Sequence, residues 1–300
     1  LGDVYKRQMY NCPMKHAYLI IAHHEFDILN KLIQAIDDER NDIFIHFDKK
    51  VRNCPSLTAH YSNLYILEKR IDIRWGHCSQ IEAEYLLFET AGIRDEYHYY
   101  HLLSGVHLPL KSQNDIHEYF LRLKNKVVLM HVPNSDYQTT LKIRRYNFFM
   151  KNFMHQVLFI RRLNQLLWRF SICIQRELRI FRNRNQLYVN ASNWVSVPHH
   201  CITYLLQIKK DVLRKYRFTL CGDEFFIPSE LENSYLKDRI YYDDRLLKCD
   251  FEGGANPRVY TLADYDELVN SGCLFARKFS HMDMDIVNKI LNHILADVKG

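Results

Sequence analysis

Apolar runs of strand length, alternating with residues at helical spacing, constrain this chain more than any other feature. Tyr18–Leu19–Ile20–Ile21–Ala22 is continuous and apolar and ends at His23–His24. Phe26, Leu29, Leu32, Ile33 and Ile36 then fall on one face of a helix. Ile43–Phe44–Ile45–His46–Phe47 repeats the strand pattern and ends in Asp48–Lys49–Lys50; residues 64–67, 97–103 and 127–130 add three more runs. A strand apolar on both faces needs cover above and below, and strands joined through helices run parallel. The class expected is α/β, a mostly parallel central sheet flanked by helices. Ligands of such sheets bind beyond the carboxyl ends of the strands, where His23 and Asp48 would lie. Asp48 suits a nucleotide pocket and equally a strand-end turn.

The segments between these runs carry the polar motifs. Ser79 with Glu82 three residues on has the capping-box spacing, and Ile81, Tyr85, Leu86 and Thr90 form the inner stripe of the helix that follows. Run 97–103 enters Ser104–Gly105–Val106–His107–Leu108–Pro109, whose small residues permit close backbone approach; Ser112 or Asn114 caps the next helix. Residues 191–198 read as a strand and turn and 199–216 as one helix. A short strand, 216–220, then leads to Cys221–Gly222–Asp223–Glu224–Phe225–Phe226. Two adjacent carboxylates before an aromatic pair can be partly dried, and a carboxylate so held can act as a general base. The same pair can simply open a helix, with Asp223 as cap or first-turn acid. A loop at 253–258, a run at 274–279 and a helix at 284–296 close the chain.

Charge is unevenly placed. The formal net charge is +6, yet 142–184 holds eleven Lys and Arg against the single acid Glu177, a net of +10, and the remainder carries −4. Basicity so local points to one cationic arm and away from a broad nucleic-acid surface, so no nucleic-acid partner is expected. Within the arm, Phe149, Phe153, Val157, Ile160, Asn164, Leu167, Phe170, Ile174, Leu178 and Phe181 keep roughly helical spacing, with Lys151, Arg161, Arg162, Arg169, Arg176 and Arg179 on the remaining surface. This predicts an inserted long basic amphipathic helical segment, one long helix or a broken pair, packed on the core or lying on an anionic membrane. The longest apolar runs are far too short to span a bilayer. Eight scattered cysteines without a Cys-x-x-Cys pair argue against a zinc ribbon or a dense disulfide scaffold and suit a reducing compartment. The chain does not begin with Met; residues 1–8 read as an assembly remnant, 1–13 as a poorly ordered leader, and 14–300 as one domain.

In order along the chain, Tyr18–Leu19–Ile20 with His23, Ile45–His46–Phe47–Asp48–Lys49, Leu103–Ser104–Gly105 with Pro109–Leu110–Lys111, Ser192–Asn193–Trp194, Asp223–Glu224 and Phe275–Ala276–Arg277–Lys278–Phe279 resemble the core-2/I-branching enzymes. That family includes β-1,6-N-acetylglucosaminyltransferases and peptide O-xylosyltransferases. The resemblance implies a variant of the GT-A glycosyltransferase fold and inverting transfer from a UDP-sugar to a glycan or glycolipid acceptor, with no metal and no other cofactor. UDP-N-acetylglucosamine is preferred to UDP-xylose as donor. It implies Glu224 as catalytic base beside Asp223, and Lys278 with Arg258 on the donor diphosphate. Arg277, Asp48 and His23 join the nucleotide site, and Ser104, Gly105, His107 and Trp194 the acceptor or sugar pocket. Of the cations, Arg277 reads most readily as ordinary surface charge. His107 stands where the family commonly has an aspartate. The animal members carry an amino-terminal anchor and disulfides, signatures absent from this sequence, which suggests a bacterial, cytoplasmic enzyme touching the inner face of the membrane through 142–184.

Three rivals remain at this stage. Asp283–Met284–Asp285 spells the Asp-x-Asp of a metal-dependent GT-A enzyme, but it opens the last helix, where acids are expected anyway. A non-catalytic scaffold would use the basic arm and leave Asp223, Glu224, Arg258 and Lys278 without a role. A glycoside hydrolase would need a second carboxyl flanking the bond, and none stands out.

Overall fold

The computed structural model describes residues 14–296 except 185, 254 and 255. Among the described residues there are ten strands: β1 (His16–Ala22), β2 (Asn41–Phe47), β3 (Asn63–Ile66), β4 (Tyr99–Ser104), β5 (His107–Pro109), β6 (Val127–Leu129), β7 (Ser196–Pro198), β8 (Ile240–Tyr242), β9 (Leu247–Lys248) and β10 (Phe275–Arg277). Seven form one sheet in the order β3-β2-β1-β4-β7-β6-β8, in which only β7 runs against its neighbours. This is the expected α/β class with a mostly parallel sheet. A second sheet, β5-β10-β9, pairs β10 antiparallel to β5, with Arg277 opposite His107. One apolar core joins both sheets, from Leu19 and Ile45 to Phe275 and Phe279.

The alternation has its expected cause. Every residue of β1 and β2 is buried. The helix Ser79–Arg94 packs on both, and Phe26–Ile36 packs on β5 and on the final helix Met284–Ala296. Each fully enclosed Leu or Ile of these helices contributes about 1.5–3 kcal/mol. The carboxyl ends of three strands are brought level by backbone bonds: Asp48 N donates to Ala22 O and Gly105 N to Ile21 O, both at 2.9 Å. Gly105 suits this close approach, because a Cβ would lie a tight 3.1 Å from that of Ala22.

Four local expectations differ from the structure. Ser79 is the first helical residue and not the cap; its Oγ accepts from Arg74 N, so no capping box forms with Glu82. The inner stripe of that helix is Ile81, Glu84, Tyr85, Phe88 and Ala91, while Leu86 and Thr90 are only half-buried, because the sheet and the helix His199–Gln207 cover it from two sides. The helix expected over 199–216 is two, His199–Gln207 and Lys209–Tyr216. Near the break, Tyr85 Oη donates to Leu205 O, a side chain inserted where the helical ladder ends. Residues 216–220 form no strand: Thr219 closes the helix by donating from N and Oγ1 to Tyr216 O.

The basic arm is broken and not one long helix, the second of the two forms its spacing allows. It comprises the end of Asp136–Lys142, a single turn at Met150–Asn152 and the helix Leu158–Glu177. In that helix only Gln175 is buried, so the apolar stripe does not face the core.

Candidate active site

The Asp223–Glu224 turn is built by its own backbone. Cys221 takes the left-handed conformation, φ 51°, rare outside glycine and asparagine, and its N–H donates to Gly76 O. Gly222 follows, where a Cβ would meet Thr219 Oγ1 at 2.3 Å, and Gly222–Glu224 then form one tight turn. Glu224 O accepts from Ala191 N at 2.9 Å, tying the turn to segment 191–194. Glu224 Oε2 pairs with Lys142 Nζ at 2.7 Å, and Oε1 accepts no hydrogen bond from the described residues. Burial would lower the Lys142 ammonium, but the Glu224 charge and hydrogen bond outweigh it and hold it above its ordinary range. Burial first, then the Glu224 charge, push the Asp223 carboxyl up to about 7. Glu84, fully buried with only Gln80 donating to it, is raised by burial and by Asp223.

The second half of the site lies where β4, β5 and β10 meet. His107 Nδ1 lies 3.0 Å from Ser104 N, 2.8 Å from Ser104 Oγ and 3.2 Å from Ser104 O. The Trp194 ring meets His107 edge-on at 5.0 Å, and the Arg277 guanidinium stacks on Trp194 at 4.9 Å. These three side chains share a property. His107 Nε2, Trp194 Nε1 and Arg277 Nε are all enclosed and all lack a partner among the described residues. Buried polar nitrogens are nearly always satisfied, so three on side chains packed in sequence mark a candidate place for an oxygen-rich ligand. Arg277 makes no ion pair among the described residues, and burial lowers its guanidinium from the ordinary value. An unpaired enclosed cation costs stability that an anion would recover. Lys278, next in the chain, is likewise without an ion pair among the described residues.

The sequence-predicted residues are therefore unevenly gathered. Ser104, Gly105, His107, Trp194, Arg277 and Lys278 come together, with the exposed His23 and His24 rings tilted 33° to each other at 4.1 Å and Asp48 and Lys278 within electrostatic reach of His23. Arg277 corrects its reading as surface charge: strand pairing with β5 and the Trp194 ring enclose it. Arg258 is brought near in backbone only, Lys278 N donating to its carbonyl. Its guanidinium is matched by Asp264 at 2.8 Å, with Glu252 at 3.6 Å and Glu267 at 3.7 Å. Asp48 is held by Lys50, from N at 2.8 Å and Nζ at 2.6 Å, in a turn continued by Asp72 and Arg74. Ser104 and His107 are both enclosed.

Three contributors carried no signal in the sequence. Lys142 is masked by the charge of the arm, Glu84 by a helix pattern that leaves it unassigned, and Glu25 by its place in a turn. The Glu25 carboxylate accepts from Ser280 Oγ at 2.9 Å and His281 N at 2.7 Å, clamping the chain just beyond Lys278 to the end of β1. Among the described residues no group of three His, Cys, Asp or Glu side chains could hold a metal ion. Asp283 caps the last helix, accepting from Ile286 N, and also accepts from Leu262 N.

A mostly parallel α/β sheet with a carboxylate turn and unpaired cations near its strand ends suits a transferase, and the family model agrees. Residues 16–268 match the Core-2/I-Branching enzyme model, and the chain belongs to that family of glycosyltransferases. The match ends before Arg277 and Lys278. Among curated proteins, the chain is 22% identical over 315 residues to a Danio rerio beta-1,3-galactosyl-O-glycosyl-glycoprotein beta-1,6-N-acetylglucosaminyltransferase 4, covering 95% of this chain and 71% of the relative. Among solved structures, a glycosyltransferase involved in glycosylation of the PBCV-1 major capsid aligns at TM-score 0.40 and 12% identity, over 93% of this chain and 99% of the other. Mouse xyloside xylosyltransferase 1 aligns at TM-score 0.36 and 8% identity, over 87% and 97%. Likeness at these scores carries no argument about substrate.

Proposed function

We propose that this glycosyltransferase moves N-acetylglucosamine from a UDP-sugar to a hydroxyl of a glycan or glycolipid acceptor, with inversion and without a required metal. The observation that carries the reading is the trio of unpartnered buried nitrogens on His107, Trp194 and Arg277, with Lys278 beside them. A diphosphate and a sugar supply the oxygen acceptors that such a group lacks. The curated relative's name supports the choice of sugar.

In a single in-line displacement, Glu224 takes the proton of the acceptor hydroxyl as that oxygen bonds to the sugar's anomeric carbon. The bond from that carbon to the diphosphate oxygen breaks on the opposite face, and its electron pair leaves with UDP. Arg277 and Lys278 stabilise the charge growing on the departing diphosphate, the task a metal performs in many such enzymes. Segment 191–194 links the two halves, bonded to Glu224 at one end and stacked on Arg277 at the other. The free cysteines among the described residues agree with action in a reducing compartment such as the cytoplasm.

The test is calorimetric titration with UDP in EDTA and again with manganese. Binding in EDTA is expected, weakened about tenfold or more by Arg277→Ala or Lys278→Ala. Glu224→Gln should retain it while transfer falls by about 10²–10⁴. Binding only with manganese overturns the cationic clamp, and near-normal transfer by Glu224→Gln overturns the base.

A further inference from the structure

The helix Leu158–Glu177 is built inside out. Its polar side faces the protein: Trp168 Nε1 donates to Asn147 Oδ1 at 2.8 Å, Gln165 Nε2 to Phe153 O at 3.1 Å, and Gln175 exchanges bonds with Tyr146 N and O at 2.7 and 2.8 Å. Its apolar side faces out. Phe159, Leu163, Leu166, Leu167, Phe170 and Ile174 lie on one arc at spacings of three and four, with Phe159 75% and both Leu166 and Phe170 64% exposed. Soluble proteins rarely leave so many large apolar side chains contiguous and uncovered. Arg162, Arg169 and Arg176, seven residues apart and exposed, form a ridge along one edge of the arc.

We propose that this face docks on an anionic lipid bilayer, the apolar arc entering the interface and the arginine ridge meeting the headgroups. Charge decides the occupant. The only acid in 142–184 is Glu177, so a second copy would bring like charge to like, and the large apolar arc suits a bilayer better than a nucleic acid. The docked face is coupled to the candidate base: Trp168 and Phe153 pack on Met150, Leu220 and Cys221, and Cys221 opens the turn bearing Asp223 and Glu224. Docking therefore holds that turn about one helix diameter, roughly 10 Å, from the lipid.

Flotation of the full chain with vesicles of phosphatidylcholine, alone or mixed with phosphatidylglycerol, tests this without any sugar donor, so it stands apart from the transferase reading. Retention is expected on the mixed vesicles only, reduced about tenfold or more by Phe159→Ser with Phe170→Ser, and likewise by Gln at Arg162, Arg169 and Arg176. Circular dichroism should show both variants folded. Equal retention on neutral vesicles, no retention on anionic ones, or retention indifferent to both variants would overturn it. So would sedimentation showing a dimer abolished by the Phe substitutions, or duplex DNA binding in place of vesicle binding.

Discussion

At the residue scale the candidate base is defined by a partner 82 positions away in sequence, the Lys142 ammonium on Glu224 Oε2. The pair is half-buried, so the lysine does more than a surface cation would, orienting one carboxylate oxygen and leaving the other open. Lys142 is thus a positioning residue that acts through Glu224. Lys142→Gln should lower kcat/KM for transfer by about tenfold or more, and Lys142→Arg should restore part of it. UDP affinity should change in neither, which separates positioning from loss of fold. The same scale explains why Arg277 is preferred to Arg258 as the diphosphate arginine. One is enclosed without a carboxylate, whereas the other already has three within 4 Å.

At the element scale the tight turn Gly222–Glu224 holds the base, and its geometry depends on an absent side chain. A Cβ at Gly222 would press on Thr219 Oγ1 and on Tyr216 Cδ1 at 3.1 Å, and Tyr216 is itself fixed by a hydrogen bond to Glu230. Gly222→Ala should cost about 1–3 kcal/mol in denaturant unfolding and depress transfer beyond that loss. Gly92 is the contrast. It sits inside a helix with nothing nearer than Leu206 Cδ1 at 3.7 Å, so Gly92→Ala should be neutral or stabilise by up to about 1 kcal/mol. The short helix boundaries around residue 208 and the missing capping box at Ser79 show local propensity yielding to packed neighbours, Tyr85 in one case and the turn before Ser79 in the other.

At the scale of the whole molecule, neutral histidines are built into the core. His16 and His101 are fully buried and linked at 3.0 Å, His117 stacks on His16 at 3.9 Å, and His46 accepts from Ile71 N. Burial pulls His46 and His117 down to about 4 and His16 and His101 well below their ordinary value. The unfolded chain takes up these protons near pH 6.5 and the folded one does not, so stability falls as pH drops from about 6.5 to about 4. Glu84 and Asp223, raised in the fold, act in the opposite direction but are fewer. Denaturant unfolding at pH 5 should show lower stability than at pH 7.5, with each fully buried histidine contributing at most about 2 kcal/mol to the difference.

What the sequence by itself determined is whatever repeats locally: the strand and helix alternation, the loop after β4 and the carboxylate turn, because periodicity and turn chemistry act over a few residues. Arg277 and Lys278 could also be read as a motif, though not their environment. Only the tertiary structure decided which cation stands unpaired, that Lys142 meets Glu224, and that the basic helix turns its apolar side outward. Each depends on side chains brought together from distant segments, and a helical wheel has no means of saying which of its faces the rest of the protein will cover.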